Sequence, residues 1–358
     1  TFKPILSFLP MQFKIRKSLI IYIFITTLCF QNNLYSNSFL KNIDDFGIIS
    51  LMYHRFEENK YPSTNIKIND FLKQLEMIKK EKINFIIPKN FMSDLENKKK
   101  VRKLLLTIDD AFLSFYENAW PILKKNKIPF ILFVSTREIG NSGYMTWEQI
   151  KEISKYSFVE IGNHSHSHEY LIDEKLSTIK KDLLTSKNLF KSKLKKDTIF
   201  FSYPFGEYSL EFKNLVKELG FKFAFGQHSG VVGNYEDHYE LPRFPINEKY
   251  GELKRFSTLL KTIPFSYSSI FPEEKYINDK TNPPKVKIKF KQDIKNINCF
   301  SNEENRWQNS KIKFLNESEI EIHLSGKFIT ERGRINCSLR EENGFYRWLG
   351  IQFVIAEK

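Results

Sequence analysis

The chain has 358 residues, 41% of them hydrophobic and 27% charged, a balance that supports folded cores and excludes general disorder. Fifty-six lysines and arginines against 42 acids give a formal charge of +14. The basic residues are dispersed, with residues 98–100 the densest run, so they read as a solvated surface and not as a nucleic-acid groove.

At the N-terminus, Met11 is followed by Lys14, Arg16 and Lys17, an apolar run over 19–30, and the small residues Ser36 and Ser38 at A-x-A-like spacing. These are the parts of an export signal, and the run is short of the ~20 residues that a spanning helix needs. Residues 1–38 are therefore expected to be an upstream extension and signal peptide, and the rest a periplasmic or secreted protein. Membrane contact would arise only from an uncleaved signal segment. Cys29 falls inside that segment, leaving Cys299 and Cys337, which an oxidising compartment would join in one disulfide.

From Gly47 to about Asn247, short apolar runs alternate with helical patterns. Strands are expected at Ile48–Tyr53, 84–87, 104–108, Phe130–Val134, 159–161, 199–202 and Phe223–Phe225, each rich in Ile, Val, Leu or Phe. Between them, Phe71, Leu72, Leu75 and Ile78 share a helical face after Asn69 as the expected cap. Thr146 and Gln149 form a capping-box pair, and a helix from Ser209 stops near Gly220. This alternation argues for a parallel sheet or a closed α/β barrel. Beyond Asn282-Pro283-Pro284 the pattern is strand-only, which predicts a small all-β sandwich over 279–358 after a main domain over 39–278.

Three motifs carry chemistry, each following an expected strand. Thr107-Ile108-Asp109-Asp110 places two carboxylates side by side; such a pair can cap a turn, or divide metal binding from proton transfer. Gly162-Asn163-His164-Ser165-His166-Ser167-His168 holds three of the seven histidines, with His164 and His168 spaced to share one side of a helical turn and ligate a divalent metal. Ser202-Tyr203-Pro204-Phe205-Gly206-Glu207 is by itself only a turn signal.

In this order, the three motifs resemble those of the NodB-like polysaccharide deacetylases, the fourth carbohydrate esterase family, over roughly residues 47–247. Met52-Tyr53-His54-Arg55 and the Tyr203–Glu207 variant look most like the branch acting on poly-N-acetylglucosamine. The resemblance implies a distorted (β/α) barrel and a metal-dependent hydrolase that removes N-acetyl groups from an amino-sugar polysaccharide. Asp110, His164 and His168 would hold the metal, zinc being expected and cobalt or nickel able to replace it. Asp109 would be the general base, and Phe205 would offer a backbone N–H to the oxyanion. Tyr203, Pro204, Phe205, Gly206 and His54 would contact substrate.

Two departures stand out. Ser202 occupies the position of the family's third-motif arginine, which makes Arg243 the expected partner of Asp109. The family's later histidine motif has no clean match, which leaves His228, and after it His54, as the expected general acid. Trp307, Tyr346 and Trp348 either stack on sugars or fill a core. A non-catalytic carbohydrate-binding envelope protein on the same scaffold is the alternative.

Overall fold

The computed structural model describes residues 46–97, 101–234 and 237–356. The expected signal segment lies outside them. Among the described residues no helix is long and apolar enough to cross a membrane.

Six parallel strands stand side by side in chain order: β1 (Ile48–Tyr53), β2 (Lys103–Ile108), β3 (Phe130–Val134), β4 (Val159–Asn163), β5 (Phe200–Ser202) and β6 (Phe223–Phe225). All residues of β1, β2 and β3 are buried, as expected for strands covered on both faces. Within β2 the period of two is plain. Leu104, Leu106 and Ile108 join one core with Phe71, Ile78 and Trp120, whereas Leu105 joins a second with Ile131, Phe133 and Phe225.

The sheet curls. Leu241 donates its N–H to the Ala224 carbonyl and accepts from Gly226 N, each at 2.9 Å, and Phe244–Pro245 then pairs parallel to β1. The segment 241–245 thus runs from the β6 edge to the β1 edge, in place of a long closing strand. The register Tyr53↔Ile108↔Leu132 and Val134↔Asn163↔Phe201 aligns the strand ends, so the residues following β1, β2, β4 and β5 share one rim.

Helices cover the outer face. Trp147–Ile153 begins with the expected capping box, and Leu210–Glu218 is capped by Ser209, whose Oγ accepts from Phe212 N at 3.1 Å. Asn69 is not a cap. The helix Ile68–Lys80 starts two residues earlier than that cap implies, after Lys67, which offers no capping oxygen.

Strands from Thr262 onward form two further sheets around a separate apolar core that includes Val286, Ile288, Ile320, Ile335 and Phe353. Two of these strands matter below, β7 (Arg332–Arg340) and β8 (Tyr346–Ile355), an antiparallel pair. Cys299 and Cys337 face each other across the strand Asn298–Ser301 and β7 and are joined as a disulfide.

Candidate active site

Asp109 continues the β2 ladder through its N–H, which donates to the Tyr53 carbonyl at 2.9 Å. The next two residues, Asp110 and Ala111, take left-handed φ values of 74° and 57°. Aspartate tolerates this region better than most residues. The sharp exit separates the two adjacent carboxylates.

The histidine motif is a loop, not the expected helical turn. Ser165 and His168 have φ of 67° and 55°. Asp182, on the helix Leu176–Leu194, accepts the N–H groups of His166 (2.7 Å) and Ser167 (2.9 Å), and Ser165 Oγ accepts that of His168 at 3.0 Å. These bonds substitute for helical ones and still bring the His164 and His168 rings within 4.8 Å. His166 turns aside to Thr136 Oγ1 at 2.8 Å.

His164 Nδ1 lies 2.7 Å from the Ser202 carbonyl, which can only accept, so Nδ1 carries the hydrogen and Nε2 a free lone pair. That Nε2 lies 3.4 Å from Asp110 Oδ1, and His168 Nε2 lies 3.2 Å from the same oxygen. His164 Nε2 and Asp110 Oδ1 are buried without a hydrogen-bond partner. Two orphaned acceptors converging with a third nitrogen are costly unless a cation lies among them. One ligand atom from each of the three residues falls within 4.8 Å of the others, so the residues fit a divalent metal. Burial works to raise the Asp110 carboxyl pKa, but His168 and His164 hold it well below the usual range.

Asp109 is held differently. Arg243, fully buried, donates Nη1 to Oδ1 at 2.7 Å and Nη2 to Oδ2 at 2.9 Å. It also donates to Thr107 Oγ1 (3.1 Å), Ser202 Oγ (2.8 Å) and, through Nε, the Gly226 carbonyl (3.0 Å). Burial pushes the Asp109 carboxyl up, and Arg243 with His164 outweighs it, leaving the pKa below its ordinary value. Ser202 also donates to Asp109 Oδ2 at 3.3 Å, so the serine is part of the cradle that positions the carboxylate.

The third motif forms a 3₁₀ turn over Pro204–Gly206 with Phe205 at φ 57°. Phe205 stacks on Tyr170 at 4.1 Å and meets the His168 ring edge at 4.9 Å. A Cβ on Gly206 (φ 72°) would lie 2.4 Å from Gln227 N. Tyr203 points away from the rim. Its ring packs on Phe201 and Phe212, and its hydroxyl donates to the Tyr239 carbonyl at 2.9 Å.

A cleft of about 590 Å³ opens over these groups, lined by Asp110, His168, Phe205, His54 and His228 together with Trp307, Arg332, Arg334 and Trp348. The Arg332 guanidinium lies 5.5 Å from the Phe205 ring centroid. Burial lowers the His54 pKa, and Asp110 and Asp109 partly oppose it. His228 is pushed down to about 3 by burial, with Lys275 and Arg243 adding to the effect.

Residues 96–224 match the family model described as polysaccharide deacetylase. The poly-β-1,6-N-acetyl-D-glucosamine N-deacetylase of Staphylococcus aureus (strain N315) is 26% identical over 214 residues, covering 56% of this chain and 73% of that one. The structure of IcaB from Ammonifex degensii superposes with a TM-score of 0.55 at 24% identity, over 60% of this chain and 97% of the other. Streptococcus pyogenes deacetylase PplD in complex with acetate gives 0.54 at 24% identity, over 59% and 99%. With the ordered motifs, the match over residues 96–224 marks a polysaccharide deacetylase domain within this chain, and the solved structures share its fold.

Proposed function

We propose that the chain is a metal-dependent hydrolase that removes N-acetyl groups from an amino-sugar polysaccharide of the poly-N-acetylglucosamine class. The observation that carries this reading is the pair of orphaned ligand atoms, His164 Nε2 and Asp110 Oδ1, beside a carboxylate of a different kind, Asp109. A divalent cation held by Asp110, His164 and His168, zinc first among the options, supplies Lewis acidity toward the acetamide carbonyl and toward water.

The remaining work falls to the chain. Asp109 rests ionised and has lone pairs beyond those engaged by Arg243, so it accepts the proton of the attacking water. Oδ2 faces the ligand set, 3.9 Å from His164 Nε2. Arg243 and Ser202 fix the direction of that oxygen. The backbone N–H of Phe205 meets the developing oxyanion. As the C–N bond breaks, the amine nitrogen needs a proton.

Burial lowers the pKa of both histidines, and Arg243 disfavours the charged form of both. Asp110 and Asp109 oppose the effect at His54, whereas Lys275 adds to it at His228, so His54 is assigned as the donor. His228 then serves as a neutral group on the cleft wall. The products are acetate and a glucosamine unit. Export by the segment 1–38, a main domain over 39–278 and a β-rich module over 279–358 belong to the same proposal.

The test is acetate release from N-acetylglucosamine oligomers by protein loaded with zinc, stripped by chelator, then reloaded. Release that stops on stripping and returns on reloading supports the reading. Oligomer binding with no acetate from the loaded protein would refute it in favour of a pure binder.

A further inference from the structure

Along β7, Arg332, Arg334 and Asn336 alternate with the buried Gly333, Ile335 and Cys337, so the polar three share one face of the strand. That face lines the same cleft as Asp110 and His168, and Arg255 adds a third guanidinium. Arg332 is partly neutralised, because its Nε donates to the buried carboxylate of Glu207 at 2.6 Å. Its Nη2 is nevertheless buried without a hydrogen-bond partner.

Arg334 and Arg255 have less. Arg334 Nε reaches only the neutral Gln352 at 3.2 Å, and Arg255 Nη1 donates to the Tyr250 carbonyl. Among the described residues neither has a carboxylate within ion-pair distance. Asp110, the cleft's one acidic lining residue, is committed to the ligand set. Burial works against both guanidinium charges, and the neighbouring Arg332 adds to the effect on Arg334. Two guanidinium forks on one face of β7, with a third on the same cleft lining, are suited to an oxyanion.

We propose that this wall binds an anionic group carried by the glycan itself, a carboxylate or a phosphate, one sugar or more away from the acetamide at the ligand set. This rests on the deacetylase reading and departs from it on the polymer: the substrate is an N-acetylated glycan with acidic substituents in place of neutral poly-N-acetylglucosamine. The cleft is continuous from His168 and Phe205 to the arginines, so one chain of sugars spans both. Trp307, half exposed on the same lining, offers a flat face for a pyranose. The family match ends at residue 224, before any of these side chains.

The experiment is equilibrium binding to the full chain of three probes: N-acetylglucosamine oligomers, oligomers of equal length alternating N-acetylglucosamine with glucuronic acid, and N-acetylglucosamine oligomers bearing 6-phosphate. At least one charged probe is expected to bind about tenfold or more tighter than the neutral one, the effect of one charge-assisted pair. Whichever charged probe does so identifies the anion. In Arg334→Gln and Arg255→Gln that ratio should collapse toward one, and Arg334→Lys should recover part of it. Trp307→Ala should weaken all probes in parallel and keep the ratio. Equal affinity for neutral and charged probes, or a ratio unmoved by both arginine variants, overturns the inference. Because binding is read without turnover, a failure to release acetate would refute the hydrolase reading and leave this preference measurable.

Discussion

Arg243 grips Asp109 across 134 residues of chain, Nη1 on Oδ1 at 2.7 Å and Nη2 on Oδ2 at 2.9 Å, with both side chains fully buried. The guanidinium arrives from the segment that links the two edges of the sheet, so the same stretch that curls the strands also orients the carboxylate.

Arg243→Gln should therefore leave a buried carboxylate uncompensated, at a cost of about 3–5 kcal/mol in stability. In the parent protein the depressed Asp109 pKa contributes stability above the reference value of 3.8, lost as pH falls through the lower folded value. In the variant, burial acts unopposed by Arg243. The Asp109 pKa rises, and the acid limb of the kcat/KM profile should move to higher pH. A profile unchanged in shape would contradict the assigned partnership.

His54→Gln should lower kcat by about 10²-fold, the scale of losing one proton donor, and His228→Gln by much less. Single-turnover acetate release measured on both variants decides between the two histidines. A larger loss at His228 would reverse the assignment.

Gly206→Ala should cut turnover at least tenfold while metal content stays unchanged. The new Cβ has no room beside Gln227, and φ of 72° is strained for alanine, so the turn carrying Phe205 must shift. Retained activity would mean that the Phe205 N–H does not serve the oxyanion.

Reducing the Cys299–Cys337 bond, or replacing both cysteines with serine, should lower stability by about 2–4 kcal/mol, since the bond closes a loop of 38 residues. Thermal unfolding with and without reductant measures this. No shift would mean that the ladder between Asn298–Ser301 and β7 holds without the bond.

Much of the fold could be read because short runs such as Ile48–Tyr53 and Phe130–Val134 are buried on both faces, and a continuous apolar run bounded by polar turns has few other readings. The strand ends followed from this, and with them the positions of Asp109, Asp110 and His164. The form of the histidine loop was not legible. The spacing of His164 and His168 suits a helix, and Asp182, capturing two loop N–H groups from a distant helix, decides otherwise. Asn69 looked like a cap by type, but the helix begins ahead of it. The polar alternation of Arg332, Arg334 and Asn336 is visible in the sequence, yet only tertiary docking reveals that this face borders the cleft. Tyr203 was assigned to substrate by its motif, whereas its size and its hydroxyl's partner hold it in the core.

The central claim, that two adjacent aspartates do different things, is tested most directly by metal content and acetate release measured together on Asp109→Asn and Asp110→Asn. Asp110→Asn should lose metal and turnover in parallel, with excess metal restoring part of both. Asp109→Asn should keep its metal while turnover falls about 10²–10⁴-fold, and added metal should restore nothing. An Asp109→Asn protein that loses its metal, or that turns over at near the parent rate, would contradict the account.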